Sequence, residues 1–230
     1  RILKRNREAY KELEIKLNSI TGHDTEIIYS DHHLSHLNYS YLTSPFTEAN
    51  ILSVDGVGEW ETTVLAKGDK NEISKLQSIN FPSSLGMLYS SFTAYLGFKP
   101  NEGEYKVMGL APYGDSVIYK EQFKKLYTIN EDNSFSINME YFTYDYSDTH
   151  MFNTKLSELF GVPNRLPEEK LEQHHKDIAA GLQYTYELLF FKLLNNLYKL
   201  NPSKNLCLSG GCAYNGTANG KILDKTPYEN

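Results

Sequence analysis

Two histidines four residues apart are the clearest candidates for chemistry in the sequence. The segment DHHLSH, residues 31–36, contains His32 and His36. On a helix, side chains at this spacing lie on one face, about 5–6 Å apart at Cβ, so both imidazoles can bind one metal ion. His33 points elsewhere. Seven histidines in 230 residues give roughly 0.2 such pairs by chance, so a metal site needs a further ligand.

An aspartate in the segment SVDGVGE can supply that ligand. Asp55 ends a predicted strand, beside Gly56 and Gly58. Glycines there allow backbone N–H groups to approach an anion, while the carboxylate holds a cation or a bound water. An Asp-Gly pair is also a strong hairpin signal by itself. A ligand and a hairpin turn are therefore both compatible with the spacing.

A pair of glycines near the carboxyl end predicts a second kind of site. In LSGGCAYN, Gly210 and Gly211 follow a predicted buried strand, and Asn215 lies close by. At such a turn the backbone can lie flat against a nucleotide and its amides can face a phosphate. The alternative is a tight strand-to-helix turn without a ligand.

Charged residues in NEGEYKVMGLAPYG are candidate catalytic groups. Glu102, Glu104 and Lys106 lie among glycines in a predicted loop, and charged groups on a constrained loop are often functional. The alternative is a surface loop with internal ion pairs, each worth ~0–1 kcal/mol. His174 and His175 are expected to be exposed residues near a helix cap, not ligands.

The elements that must position these residues form an α/β pattern. A short strand, TEIIYS, precedes a helix over residues 32–43 with Asp31 as its N-cap. Three strand-like runs over residues 50–80 predict an antiparallel meander. The other predicted elements are a Ser-capped helix that ends at Gly97, an insertion at 99–170 with a short helix near 116–128, a long helix from His174, the strand NLCLS and a helix in GTANGKIL.

Composition narrows the class of function. A chain of 230 residues, 40% hydrophobic, can bury a sizeable core as one domain or as two half-domains around a cleft. A formal charge of -6 with scattered lysines gives no basic surface for nucleic acid. No apolar run approaches the ~20 residues that cross a membrane, so we expect a cytoplasmic protein. Cys207 and Cys212 are expected to be small buried thiols.

Five segments together resemble one enzyme family. They match in order and approximate spacing the O-carbamoyltransferases of nodulation-factor and antibiotic biosynthesis, and they are DHHLSH, VDGVGE, FPSSLGMLYSSFTAYLGFKPNEGEYKVMGLAPYG, DIAAGLQ and LCLSGGCAYNGTANGKI. The sequence resembles the amino-terminal domain of that family, which is similar to the tRNA threonylcarbamoyl-transferase domain. The resemblance implies an α/β fold of the actin and sugar-kinase-like ATPase superfamily, with RNase H-like subdomains around a nucleotide cleft.

The resemblance also implies domains, ligands and site residues. Residues 1–49 would end a truncated first subdomain, and residues 50–230 would form the second. The family's metal ligands fall on His32, His36 and Asp55, with Fe(II) favoured and zinc as the alternative. Its adenosine-contacting turn falls on Gly210 and Gly211, with Asn215 close by. In such enzymes, carbamoyl phosphate and ATP give carbamoyl-adenylate in a carboxyl-terminal domain, and this domain transfers the carbamoyl group to an acceptor hydroxyl.

Parts of the family pattern lie outside the sequence. We expect a first strand and a phosphate-binding turn before Arg1, and a further metal-binding aspartate and the adenylate-forming domain after Asn230. The piece alone should therefore not turn over. A non-catalytic metal- and nucleotide-binding module, or a truncated remnant, is the alternative. A metal hydrolase is disfavoured, because neither His32 nor His36 has the adjacent Glu of an H-E-x-x-H enzyme.

Overall fold

A computed structural model describes residues 2–230, with side chains from residue 9 onward. Contacts divide the chain into two compact units, and the boundary follows Asp31. The first unit contains helix α1 (Ile2–Thr21), and the ring of Tyr10 on this helix packs edge to face with that of Tyr29, with 5.2 Å between the centroids. The predicted strand TEIIYS is wrong: no described strand pairs with it, and Ile28 is 85% exposed. The division at residues 49 and 50 stays a prediction.

The second unit is built on a central four-stranded sheet. The predicted meander is confirmed as β1 (Glu48–Gly58), β2 (Glu61–Asp69) and β3 (Glu72–Asn80), which pair antiparallel in sequence order. The predicted strand NLCLS is β6 (Leu206–Ser209), which lies parallel to β1. The strand order is β3-β2-β1-β6. The fold is therefore mixed α/β with a mostly antiparallel sheet.

Both faces of β1 are buried, because its side chains alternate between two apolar clusters. Ile51 packs with Leu37 and Tyr41 of helix α2 (His32–Leu42) on one face. Leu52 and Val54 belong to the larger cluster on the other face. That cluster includes residues of α3 (Leu85–Tyr95) and α7 (Gln173–Leu200). Helices thus enclose the strand that contains Asp55.

The helices around the sheet begin where polar caps stand in the sequence. Ser84 caps α3, as predicted, by accepting a hydrogen bond from the Met87 N–H at 3.0 Å. The long helix α7 begins with a capping box between Glu172 and His175. His175 is 6% exposed, so its predicted exposure is wrong, although its place at the cap is right. The glycine-rich end continues as α8 (Gly216–Asn219) and α9 (Ile222–Lys225).

Residues 99–170 are more regular than the sequence indicated. The predicted loop NEGEYKVMGLAPYG is wrong, because α4 (Glu104–Leu110) and a 3₁₀ turn occupy it. Its Glu104 carboxylate accepts the N–H groups of Asn101 and Gly103 ahead of the helix, and Val107 is fully buried. The rest contains α5 (Lys120–Lys124), a hairpin of β4 (Tyr127–Ile129) and β5 (Phe135–Ile137), and α6 (Thr154–Phe160). That this segment is an insertion stays a prediction.

Candidate functional site

A buried histidine fixes the helix that carries the candidate ligands. The Nε2 atom of His33 lies 2.9 Å from the carbonyl oxygen of Glu61, so Nε2 is the donor. Its Nδ1 atom then accepts the hydroxyl hydrogen of Ser53, at 2.9 Å. Burial lowers the pKa of His33 below its ordinary value and outweighs the hydrogen bond to Glu61, which by itself would raise the pKa. The neutral ring therefore anchors the first turn of α2 to β1 and β2.

An irregularity in β1 positions Asp55. The register with β2 shifts between Val54 and Gly58, so β1 bulges there. The prediction that Asp55 ends the strand is wrong, because β1 continues to Gly58 and the turn follows Gly58. The Oδ1 atom of Asp55 accepts the backbone N–H groups of Gly56 at 2.8 Å and of Gly211 at 3.2 Å. One carboxylate oxygen is thus held by backbone, and the other is free to face α2.

The three candidate ligand atoms converge. The Oδ2 atom of Asp55 lies 2.7 Å from Nε2 of His32 and 3.0 Å from Nε2 of His36. The two Nε2 atoms are 3.1 Å apart. Ligand atoms about 2.0–2.1 Å from one tetrahedral zinc ion lie about 3.3 Å apart, so this spacing fits a divalent ion. Among the described residues, no other group of three His, Cys, Asp or Glu side chains converges in this way.

The electrostatics of Asp55 suit a cation ligand. Partial burial by itself would raise the pKa of the carboxyl group, but four hydrogen bonds lower it below its ordinary value. Their donors, in order of effect, are His32, the Gly56 N–H, His36 and the Gly211 N–H. The carboxylate is therefore ionised at neutral pH, as a ligand of Zn²⁺ or Fe(II) must be.

Close packing of two glycines keeps these groups in place. A Cβ atom on Gly58 would overlap the ring of His32, with Cγ only 2.8 Å away. A Cβ atom on Gly86, in the first turn of α3, would lie 2.8 Å from the carbonyl oxygen of Asp55. Ser84, just before α3, donates its hydroxyl hydrogen to the Gly56 carbonyl oxygen at 2.6 Å. The strand end around Asp55 is thus enclosed by α2 and α3.

The paired glycines of LSGGCAYN meet the same strand. Gly210 has a φ of 86°, and a Cβ there would overlap the Val54 carbonyl oxygen, so only glycine fits. The next residues form a 3₁₀ turn from Gly211 to Tyr214, and not a free loop. Asn215 then accepts the Ala218 N–H at 3.0 Å and caps α8. The turn is therefore both a tight strand-to-helix connection and a neighbour of Asp55.

A cavity of about 320 Å³ opens beside Asp55. The residues that line it come from β1, α3, α4, α7 and the turn after β6, and they include Asp55, Gly56, Tyr89, Glu104, Tyr186, Gly211, Cys212 and Asn215. Among the described residues that line it there are two carboxylates and no Lys or Arg. Its wall is mostly apolar, which suits a neutral ligand group.

The three candidate catalytic residues, Glu102, Glu104 and Lys106, lie in different surroundings. Glu104 lines the cavity and accepts the hydroxyl hydrogen of Ser90 at 2.6 Å. Glu102 forms an exposed ion pair with Lys99. Lys106 Nζ lies 6.0 Å from the ring centroid of Phe98 and 5.8 Å from that of Tyr105. Of the three, Glu104 alone is among the cavity's lining residues.

Several cavity residues were not found from the sequence. Tyr89 and Ser90 belong to α3, whose apolar pattern gave no reason to separate them from the core. Gln183 and Glu187 on α7 reach the cavity wall only through hydrogen bonds. Cys207 is a buried free thiol, as predicted, whereas Cys212 is only partly buried.

Comparisons with known proteins decide the family. The family model "Carbamoyltransferase N-terminus" matches residues 5–230. The chain belongs to the carbamoyltransferase amino-terminal family. The family resemblance is thereby confirmed. This carbamoyltransferase-family chain has no helix, among the residues described, with an apolar stretch long enough to cross a membrane.

Relatives of this carbamoyltransferase-family domain come from several bacteria. It is 45% identical over 204 residues to an uncharacterised protein of Synechocystis, covering 89% of this chain and 33% of that protein. It is 33% identical over 199 residues to nodulation protein NolNO of Sinorhizobium fredii, covering 86% and 27%. Nodulation protein NolO of Bradyrhizobium diazoefficiens is 32% identical over 193 residues, covering 84% and 33%. The chain thus spans a third or less of the length of these relatives.

Proposed function

We propose that the chain is the transfer domain of an ATP-dependent O-carbamoyltransferase. It would move a carbamoyl group from carbamoyl-adenylate to a hydroxyl of a sugar or other small acceptor. The observation that carries the proposal is the convergence of His32, His36 and Asp55 at one end of the cavity. Family membership supports it, since carbamoyl transfer is the activity that the family's name states. The sheet, three antiparallel strands and then a parallel one, supports an RNase H-like subdomain of the actin-like superfamily.

The chemistry of the cavity supports a division of the adenylate between two places. Glu104 would repel phosphate oxygens from the cavity, and no Lys or Arg among the described lining residues offsets its charge. The nucleoside half, which is neutral, suits the apolar wall and the turn at Gly211. The phosphate and carbamoyl oxygens would then lie at the His32 and His36 end. The cavity and the metal ligands thus serve opposite halves of one ligand.

The metal ligands would be His32, His36 and Asp55, with Fe(II) favoured and zinc as the alternative. When bound, such an ion supplies a Lewis acid that withdraws charge from phosphate or carbonyl oxygens. The Gly56 and Gly211 N–H groups fix the Asp55 carboxylate from behind, so its second oxygen keeps its direction. Because AMP is a good leaving group, positioning of the acceptor hydroxyl would contribute much of the rate. Glu104 lines the cavity, and its carboxylate accepts hydrogen bonds from Ser90, Asn101 and Gly103. It is the candidate that orients a ligand hydroxyl.

Metal content tests the ligand set directly. A variant with His32→Ala and His36→Ala should lose stoichiometric iron or zinc while it keeps its circular dichroism spectrum and melting temperature. His150→Ala, at an exposed histidine away from the cluster, should keep the metal. Elemental analysis of the three purified proteins decides the matter. Equal metal content in all three would refute the assignment.

The activity of the whole protein requires a separate experiment. The full-length gene product should exchange pyrophosphate into ATP only when carbamoyl phosphate is present, and the present chain alone should not. Addition of hydroxylated acceptors should then give carbamoylated products that mass spectrometry detects. A full-length protein that binds metal and AMP but shows neither reaction would support the alternative, a non-catalytic metal- and nucleotide-binding module.

A further inference from the structure

A chain of hydrogen bonds joins the cavity wall to an ion pair between Glu187 on α7 and Lys221 at the start of α9. Both carboxylate oxygens of Glu187 accept hydrogen bonds from Nζ of Lys221, each at 2.7 Å. Glu187 Oε1 also accepts one from Nε2 of Gln183, at 3.0 Å. The side-chain amides of Gln183 and Asn215 form two reciprocal hydrogen bonds of 3.0 Å, and the Tyr89 hydroxyl donates to Gln183 Oε1 at 3.1 Å.

Two groups determine which way the amides face: the Glu187 carboxylate, which contacts Gln183, and the Ala218 N–H, which contacts Asn215. A carboxylate oxygen only accepts hydrogen bonds, so the NH₂ group of Gln183 must face Glu187. Its Oε1 atom then faces Tyr89 and the NH₂ group of Asn215. The Ala218 N–H, 3.0 Å away, requires Oδ1 of Asn215, and this oxygen also accepts from Gln183. All of these contacts agree with one orientation only.

This orientation sets the hydrogen-bonding polarity of the cavity wall. Tyr89 and Asn215 both line the cavity. Tyr89 uses its hydroxyl hydrogen for Gln183, so it offers only lone pairs to a ligand. Asn215 uses one amide hydrogen for Gln183, and the second has no acceptor among the described side chains. At Tyr89 and Asn215 the wall therefore presents one oxygen acceptor and one N–H donor.

We propose that Glu187 is a positioning residue for the cavity. Together with the Ala218 N–H, it holds Gln183 so that Asn215 is a donor and Tyr89 an acceptor toward the cavity. The ligand group that lies there must therefore carry an acceptor atom and a donor hydrogen. Gln183 is 5% exposed, and the Glu187 side chain is 15% exposed, so water does not replace these bonds readily. The inference rests on the proposed function only for the choice of AMP as the probe.

Reversing the ion pair tests the proposal. Glu187→Lys combined with Lys221→Glu keeps the pair but puts a donor against Gln183. The ¹⁵N and ¹H signals of the Gln183 and Asn215 side-chain amides should then shift in the ligand-free protein, and calorimetry should show about 10-fold weaker AMP binding. Glu187→Gln keeps one oxygen that can accept from both partners, so its AMP affinity should stay within about 3-fold of the wild type.

Two further comparisons make the result decisive. The same exchange at the exposed pair Glu121 and Lys124 should alter neither amide signals nor affinity. If the swapped protein does not fold, Glu187→Met with Lys221→Met removes the acceptor that orients Gln183 and should shift or double the Gln183 signals. Unaltered Gln183 and Asn215 signals in a folded variant overturn the proposal. Shifted signals in a protein whose wild type does not bind AMP would refute the nucleotide function and leave the role of Glu187 supported.

Discussion

Gly58 lies against the ring of His32, so closely that no Cβ atom fits between them. The Nε2 atom of the same ring lies 2.7 Å from Oδ2 of Asp55. The His32 ring can therefore keep its direction toward Asp55 only because position 58 is a glycine.

Gly58→Ala should weaken metal binding more than it weakens the fold. The added Cβ would displace the His32 ring from Asp55, while the overpacking itself should cost about 1–3 kcal/mol in the free energy of unfolding. Gly109→Ala, on α4, is a suitable control, because a Cβ there meets no atom within 4 Å. It should be neutral or stabilise by about 0.4–1 kcal/mol. Calorimetric titration with Zn²⁺ and thermal melts measure both effects, and equal zinc affinity in the two variants would contradict the prediction.

Gly211→Val should weaken both zinc and AMP binding. A Cβ at this position would lie 3.1 Å from Oδ1 of Asp55, and the further methyl groups would extend toward the cavity. We expect roughly a 10-fold loss of AMP affinity from the loss of about 1.4 kcal/mol. Gly216→Val, at a position where a Cβ meets no atom within 4 Å, should bind AMP normally. Unaltered AMP affinity in the Gly211 variant would count against the proposed nucleotide cavity.

Stability should decrease in mild acid, in part because of His175. Burial, followed by the charges of His174 and Arg165, lowers the pKa of His175 below its ordinary value of 6.5. The unfolded chain then binds a proton at a higher pH than the folded protein does. The free energy of unfolding is therefore greatest above about pH 6.5 and declines as the pH falls toward the folded pKa.

His175→Gln should make that decline shallower. The Gln side chain can still accept the Glu172 N–H, now bound to Nδ1 of His175 at 2.9 Å, but it does not titrate. Chemical denaturation between about pH 7 and 5 gives the slope. His33, whose pKa burial also lowers, should retain part of the decline. An identical slope in wild type and variant would exclude a contribution from His175.

Both cysteines should react slowly with thiol reagents in the folded protein. Burial raises the pKa of Cys207, and burial with the nearby carboxylates of Asp55 and Glu104 raises that of Cys212. Little thiolate is therefore present at about pH 7.5. Two thiols should titrate with a disulfide reagent in urea, and neither at a comparable rate without it. Because Cys212 is only partly buried in the cavity wall, its rapid native reaction would contradict the raised pKa.

Much of the site could be predicted from local patterns. The spacing of His32 and His36, the strand period of the meander and the Ser84 cap are signals within a few residues, and the structure has the corresponding elements. The helix at Glu104 was missed because its N-cap is Gly103, which offers no side chain; the Glu104 carboxylate instead accepts the N–H groups of Asn101 and Gly103. Likewise, the hydrogen bonds between Gln183 and Asn215 join residues that are far apart in sequence, and no local pattern predicts such a contact.

The parallel pairing of β1 with β6 joins residues 50–53 to 206–209. It brings Gly211 to Asp55, so the backbone clamp on the ligand carboxylate depends on two segments far apart in sequence. Loop closure over such a distance is entropically costly and late in folding. Affinity for a divalent ion would consequently report completion of the sheet. A nascent or proteolysed chain without β6 would still contain all three ligands, but it would lack the Gly211 N–H that orients the Asp55 carboxylate.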